Sequence, residues 1–210
     1  MHSSKLAKQS RYFLLKRLFD ITVSLPLLFL SLPLFLLIPL MIKLTSKGQV
    51  IFKQKRVGLN GKFFTMYKFR SMISNAEQLK SELELFNMLD GPAFKMKKDP
   101  RVTKFGRFLR KTSLDELPQL WNVVKGQMSI VGPRPLVASE IKDMAPKHFF
   151  RLKVKPGLTC LWQISGRSQI IDFERWLKLD LDYVNNCSLL LDIKILLKTV
   201  PVVLSGFGAE

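Results

Sequence analysis

Asp115 and Glu116 form an adjacent acidic pair inside the most basic stretch of the chain, FGRFLRKTSLDELPQL, behind Arg107, Arg110 and Lys111. Two carboxylates among cations suit phosphoryl chemistry. One can attack phosphorus, the other can help hold a divalent metal, and the cations neutralise phosphate oxygens. The same residues fit a plain structural role, because Ser113-x-x-Glu116 is also a capping box. The two roles are compatible, and a helix N-terminus favours anions in either case. Arg134 stands between prolines in VGPRP (131–135), which fix the backbone presenting its planar fork. Gly166-Arg167, after the KPGLT turn, offers a second guanidinium. Each is equally an exposed arginine in a turn. Asp180-Leu181-Asp182 has the form of the DxD of metal-dependent glycosyltransferases. It lies in a helical pattern, however, where i and i+2 point to different faces, and two separate surface or paired carboxylates are the simpler reading.

Other chemistries lack their residues. The two histidines are His2 and His148, and the latter sits beside Phe149 and Phe150 as a packing residue would. Cys160 and Cys187 have no CxxC spacing, which argues against a structural zinc or a disulfide framework and for reduced packing thiols. No GxGxxG, GxxxxGK[ST] or GxSxG occurs, so dinucleotide folds, P-loops and nucleophile elbows are absent.

The elements that must carry this chemistry divide the 210 residues at about residue 48. Residues 1–48 are an N-terminal segment with an apolar run, and 49–210 a catalytic domain. The run, ITVSLPLLFLSLPLFLLIPLMI (21–42), is uncharged over 22 positions. As one helix it would reach about 33 Å, enough for a bilayer core. Pro26, Pro33 and Pro39 oppose a straight helix, and Thr22, Ser24 or Ser31 can satisfy the carbonyls a break frees. Both flanks are basic: Lys5, Lys8, Arg11, Lys16 and Arg17 before, Lys43, Lys47, Lys53, Lys55 and Arg56 after. The positive-inside rule cannot place both flanks of a spanning helix, but a hairpin that enters and leaves by one leaflet satisfies it. A re-entrant helix–break–helix near Pro33 is therefore favoured over a span. A signal peptide fits poorly, for want of a small-x-small cleavage site.

Downstream, Gly58–Gly61 separates two β-favouring runs within 50–72, which predicts a hairpin. Ile73, Ala76, Leu79, Leu83, Phe86 and Leu89 predict a helix that Gly91-Pro92 stops. Asp172 is placed to cap a helix bearing Phe173, Trp176, Leu177, Leu181 and Val184. Residues 188–204 are apolar apart from Asp192, Lys194 and Lys198, and read either as a core helix or as an amphipathic helix in lipid headgroups. The fold class expected is α+β and mainly helical, a monotopic membrane protein with a small β-hairpin and interfacial helices.

A net charge of 34 − 16 = +18 calls for an anionic partner: nucleic acid, an acidic membrane or a phosphorylated substrate. A hydrophobic content of 47% excludes a disordered basic tail.

Together these stretches resemble the bacterial monotopic phosphoglycosyl transferases, the polyprenyl-phosphate hexose-1-phosphate transferases that begin exopolysaccharide, O-antigen and glycoconjugate assembly. The resemblance rests on KRLFD (16–20), YKFRSM (67–72), DPRVTKFGRFLRKTSLDELPQLWNVVKGQMSIVGPRP (99–135), KPGLTCLWQISGR (155–167) and LLLDIK (189–194). It implies a re-entrant helix broken at Pro33, although the residue before that proline is Leu32 where the family usually has serine. It implies that Asp115 attacks the β-phosphate of a UDP-sugar, expels UMP and passes the sugar phosphate to undecaprenyl phosphate, with Glu116 and Mg²⁺ assisting and the metal at Asp115 and Glu116. Phosphate- and nucleotide-contacting positions fall on Lys68, Arg110, Arg134 and Arg167, and a C-terminal acidic position on Asp192. Asp180 matches a family position and Asp182 does not. GPAFKMKKDPRVT (91–103) leans towards glucose or galactose. The expected setting is the cytoplasmic face of the inner membrane, in a minimal catalytic form. The competing classes are a non-catalytic, membrane-tethered binder of nucleic acid or anionic lipid, and a DxD glycosyltransferase. The first leaves the acidic pair unexplained and the second would release UDP, so no nucleic-acid partner is expected.

Overall fold

The apolar run is shared between two helices in the computed structural model, which describes residues 2–88, 90, 94, 96, 98–142, 144–206 and 208. Helix α1 (His2–Leu30) and helix α2 (Leu32–Thr45) meet at Ser31 with a bend of 58°. Pro26 and Pro39 are accommodated inside the helices. Pro33 lies in the first turn of α2, where a missing N–H costs least. The break thus falls at Ser31, two residues before the proline, and the Ser31 hydroxyl donates to the Leu28 carbonyl at 2.9 Å. No single helix among the described residues is long and apolar enough to cross a membrane; the bent pair meets the length and composition required. One side of α2 buries Ile38 and Ile42 against Phe69 and Leu109, while Leu36, Leu37, Leu40 and Leu44 stay exposed.

Strands β1 (Ile51–Val57) and β2 (Phe63–Phe69) form the expected antiparallel hairpin, with Ile51 opposite Phe69 and Val57 opposite Phe63. Its turn carries Asn60 and Gly61 at φ 53° and 78°. The two-residue period places Lys68 on the same face as the buried Phe64 and Met66, at the margin of the core. A second sheet escaped sequence reasoning. Strands β3 (Ser129–Val131) and β4 (Gly157–Thr159) pair in parallel and are three residues each, too short to show a period. A Cβ on Gly132 or Gly157 would collide with the backbone of the neighbouring strand, so glycine is required for this approach.

The helix expected over 73–89 is a correction. The segment folds as turns followed by a 3₁₀ helix, Gln78–Phe86, and its expected stop at Gly91-Pro92, like Leu89, lies outside the described residues. The Ala76 carbonyl, which an α-helix would use for its next turn, accepts instead from the buried Arg101 guanidinium. Helices α3 (Lys104–Lys111), α4 (Gln119–Val124), α5 (Ala138–Ile141), α6 (Leu161–Ile164), α7 (Phe173–Asn186) and α8 (Leu189–Ser205) complete the chain. Asp172 caps α7 as expected, accepting from the Glu174 and Arg175 amides.

The main core packs Met66, Leu120, Val123, Met128, Ile130, Tyr183 and Ile195, with Phe19 and Val23 of α1 against it. The KRLFD residues fasten α1 to this body. Arg17 donates to the Val123 and Val124 carbonyls at 2.6 and 2.7 Å, and Asp20 accepts from Ser129 Oγ and the Ile130 amide. Lys16 is buried and paired with Asp20 and Asp192. Lys16 and Arg17 are therefore tied to protein rather than turned to a leaflet, which corrects their reading as flanking charge. Helix α8 buries Asp192 and Ile195, as a core helix does, and leaves Leu190, Ile193, Leu197, Val200 and Leu204 as an exposed apolar stripe beside exposed Lys194 and Lys198. His148 is buried against Glu174, and both cysteines are free thiols.

Candidate active site

The acidic pair occupies a 3₁₀ turn, Leu114–Glu116, between α3 and α4. Ser113 enters that turn in the left-handed region, at φ 56° and ψ 16°, a conformation that costs a residue with a Cβ roughly 1–3 kcal/mol. Its side chain makes no capping bond, so the capping box is not formed, and the Glu116 amide donates to the Ser113 carbonyl instead. Glu116 is left to project its carboxylate towards β2. Helix α3 is held by Thr103, whose Oγ1 accepts from the Gly106 amide at 2.9 Å. Gly106 lies so close to the Ser71 carbonyl that any Cβ would clash. That approach lets Arg110 Nε donate to Ser71 Oγ at 2.9 Å.

Lys68 bridges the pair. Its Nζ lies 2.6 Å from Glu116 Oε1 and 3.9 Å from Asp115 Oδ2. The two carboxylates consequently titrate apart. Burial pushes Asp115 up to about 6, with Lys68 and Arg110 opposing and the Glu116 charge adding to the rise. Burial acts on Glu116 in the same direction, but the charge and hydrogen bond of Lys68, joined by Arg134 and Arg167, hold it below its ordinary value. The neighbours thus separate a carboxylate that is ionised and screened from one that is ionised above about pH 6 and poorly solvated, a division expected of groups with different tasks.

A cleft opens beside the pair, lined among others by Arg56, Lys68, Glu116, Gln119, Arg134 and Trp162. Arg134 lies 6.0 Å over the Trp162 ring, which stacks on Trp176. The Arg134 carbonyl is held by Arg151, which is itself paired with the buried Asp180. Arg167 is buried, takes φ 46°, and its charge is felt by Glu116. The structure therefore gathers Asp115, Glu116, Lys68, Arg110, Arg134 and Arg167 into one region. It places Asp192 apart from this group: the carboxylate is fully buried, accepts from Tyr183 at 2.7 Å and Tyr12 at 3.2 Å, and pairs with Lys16 at 3.1 Å. Asp180 is buried and Asp182 exposed, so they do not act as a DxD pair.

Sequence reasoning missed Arg56, Gln119, Trp162 and Arg151. Arg56 was counted with the membrane flank, yet it is buried, bonded to Gln54 and the Pro135 carbonyl, and lowered by burial to about 10. Gln119 and Trp162 stand within the quoted motifs, and only the folded cleft brings them to Glu116. No group of three or more His, Cys, Asp or Glu among the described residues can hold a metal ion alone. Asp115 and Glu116 are the carboxylates of the site that would hold Mg²⁺, which commonly takes one or two carboxylates and completes its shell with substrate phosphates and water.

A family model described as "Bacterial sugar transferase" matches residues 11–206. The galactosyl transferase CpsE of Streptococcus agalactiae is 48% identical across 100% of this chain and 46% of its own length. The undecaprenyl-phosphate galactose phosphotransferase of Salmonella typhimurium is 46% identical over 98% of the chain and 44% of its own length. The exopolysaccharide production protein ExoY of Rhizobium meliloti is 41% identical over 92% of the chain and 87% of its own length. The chain spans a little under half the length of the first two relatives and most of the third.

Proposed function

Because the chain belongs to the bacterial sugar transferase family, we propose that it transfers a sugar-1-phosphate from a UDP-sugar to undecaprenyl phosphate and releases UMP. The observation that carries this reading is the buried Asp115, ionised above about pH 6 and set beside Lys68 and Arg110. The Asp115 carboxylate attacks the sugar-bearing β-phosphorus as the bond to the bridging oxygen breaks, and UMP leaves with that oxygen. An oxygen of undecaprenyl phosphate then attacks the same phosphorus, the Asp115 carboxylate departs, and polyprenyl-diphosphate-sugar is formed. Lys68 keeps Glu116 ionised and lowers the charge density at the pair. Arg110, Arg134 and Arg167 supply positive charge for the diphosphate. Mg²⁺, held by Asp115 and Glu116, would neutralise phosphate oxygens there.

The proposed setting is the cytoplasmic leaflet of a bacterial inner membrane. In this setting the bent α1–α2 pair enters and leaves by one leaflet and the apolar stripe of α8, with Lys194 and Lys198, rests among headgroups; the 58° bend and the exposure of that stripe support the placement. The relatives' names favour galactose. The test is incubation of the membrane-bound protein with UDP-galactose or UDP-glucose, undecaprenyl phosphate and Mg²⁺. UMP release and a covalent sugar-phosphate adduct, both lost in Asp115→Asn, are expected. Release of UDP, or turnover by Asp115→Asn, would reject the mechanism.

A further inference from the structure

Two side-chain nitrogens at the cleft are out of place for a fold optimised only for stability. Gln119 is 3% exposed, and its Nε2 has no hydrogen-bond partner among the described residues. The indole Nε1 of Trp162 is buried and likewise unpartnered among them. Both residues line the cleft that Glu116, Lys68 and Arg134 share. A buried amide or indole N–H without an acceptor forfeits its hydration, so two at one cleft need an explanation.

The cations nearby explain what the donors can serve. Arg56, Lys68 and Arg134 against Glu116 leave the lining with a net charge of about +2, suited to a diphosphate. Much of the directional bonding capacity of those cations is already committed. Lys68 donates to Glu116, and Arg56 donates to Gln54 through Nε and Nη2 and to the Pro135 carbonyl through Nη1. Neutral N–H groups in the cleft add directed bonds to diphosphate oxygens beside those of the cations. Gln119 also follows Asp115 by four residues, on the α4 end of the same short segment.

We propose that Gln119 Nε2 and Trp162 Nε1 are substrate-binding donors that hold phosphoryl oxygens of the nucleoside diphosphate-sugar in this cleft. This rests on the transferase reading and adds two ligand-touching residues to it. The hydrogen bonds are completed only by ligand, so the ligand-free fold retains two unsatisfied donors.

Replacing Gln119 by a side chain of similar length without polar atoms should therefore leave the ligand-free protein at least as stable while weakening phosphate binding. The experiment measures melting temperature and affinity of the full chain in detergent for UDP, inorganic pyrophosphate and uridine, in wild type, Gln119→Met, Gln119→Glu and Trp162→Phe. Expected for Gln119→Met are an unchanged or raised ligand-free Tm, an approximately tenfold loss of affinity for UDP and pyrophosphate, and no change for uridine. Gln119→Glu keeps the shape, places negative charge at the donor, and should weaken UDP more; Trp162→Phe should weaken it to a lesser degree. Unaltered UDP affinity in both Gln119 variants, a fall in ligand-free Tm for Gln119→Met, or equal losses for uridine would overturn the inference. UMP release by the wild type is scored separately, so loss of the transferase reading is distinguishable from loss of this one.

Discussion

Arg151 and Asp180 form a buried ion pair, with guanidinium nitrogens 2.5 and 3.1 Å from one carboxylate oxygen, and the same Nη2 reaches the Arg134 carbonyl at 2.7 Å. Asp180 thereby supports the loop presenting Arg134 without itself facing the cleft. Removing one partner of a buried pair strands the other. Asp180→Ala should cost about 3–5 kcal/mol, seen as a Tm lower by roughly 10 °C, together with reduced UMP release. A Tm within about 2 °C of wild type would show that the pair does not support this loop.

The raised pKa of Asp115 sets a pH profile. On the proposed mechanism only the ionised carboxylate can attack, so the burst of UMP should climb with pH through about 6 and level off above 7. The Lys68 charge opposes the rise, so Lys68→Met should move that limb to higher pH, as rapid-quench measurement of the first turnover can show. A limb that moved to lower pH would contradict the role given to Lys68.

The same shift bears on stability, with a definite sign. The folded pKa lies above the unfolded one, so the folded state binds this proton more tightly, and stability declines as pH rises from about 4 to about 6. Above that window Asp115 carries its full cost of buried charge. Asp115→Asn should consequently melt higher than wild type at pH 8, with the gap closing towards pH 4. Melting curves across that range, without ligand, are the check; a variant less stable at pH 8 would reverse the sign.

For Asp192 the buried position separates two outcomes cleanly. Asp192→Ala removes the nearer carboxylate of buried Lys16 and an acceptor of two tyrosine hydroxyls, so a large drop in Tm is expected, again of order 3–5 kcal/mol. A variant with normal Tm and a raised KM for UDP-sugar would place Asp192 at the substrate site.

The α3 approach gives a steric prediction. Gly106→Ala puts a methyl into the Ser71 carbonyl, which must push α3 away from β2 and part Arg110 from Ser71. Loss of more than about 2 kcal/mol of stability is expected, with loss of UMP release in any protein that still folds. Wild-type stability in this variant would mean that α3 does not need so close an approach.

What could be read in the chain without its fold was whatever is decided locally. The hairpin follows from two β-favouring runs around Gly58–Gly61, and α7 begins where Asp172 offers its carboxylate to the next turn. The break in 21–42 was evident from its prolines, though its site at Ser31 depends on the Leu28 carbonyl that its hydroxyl finds. The acidic pair and four of its cations were legible through motif resemblance. Features decided by distant partners were not. Arg101 diverts the Ala76 carbonyl, and Asp192 is claimed by Tyr12 and Lys16 from the opposite end of the chain. Gln119 and Trp162 look like ordinary members of helical turns until β2, α4 and α6 meet around the cleft.

Arg17 grips the last carbonyls of α4, whose first residue, Gln119, comes three positions after Glu116. In the proposed setting, where α1 is seated in lipid, that grip would act as a strut of fixed length between the bilayer and the carboxylates. The depth to which the bent helix sinks then sets the altitude of Asp115 above the headgroups. A polyprenyl phosphate cannot lift its tail out of the hydrocarbon, so its phosphate travels in a thin horizontal sheet. On the proposed mechanism, Asp115 mounted on such a strut would meet that sheet at one height, and a bilayer of altered thickness would move the meeting point as surely as a mutation.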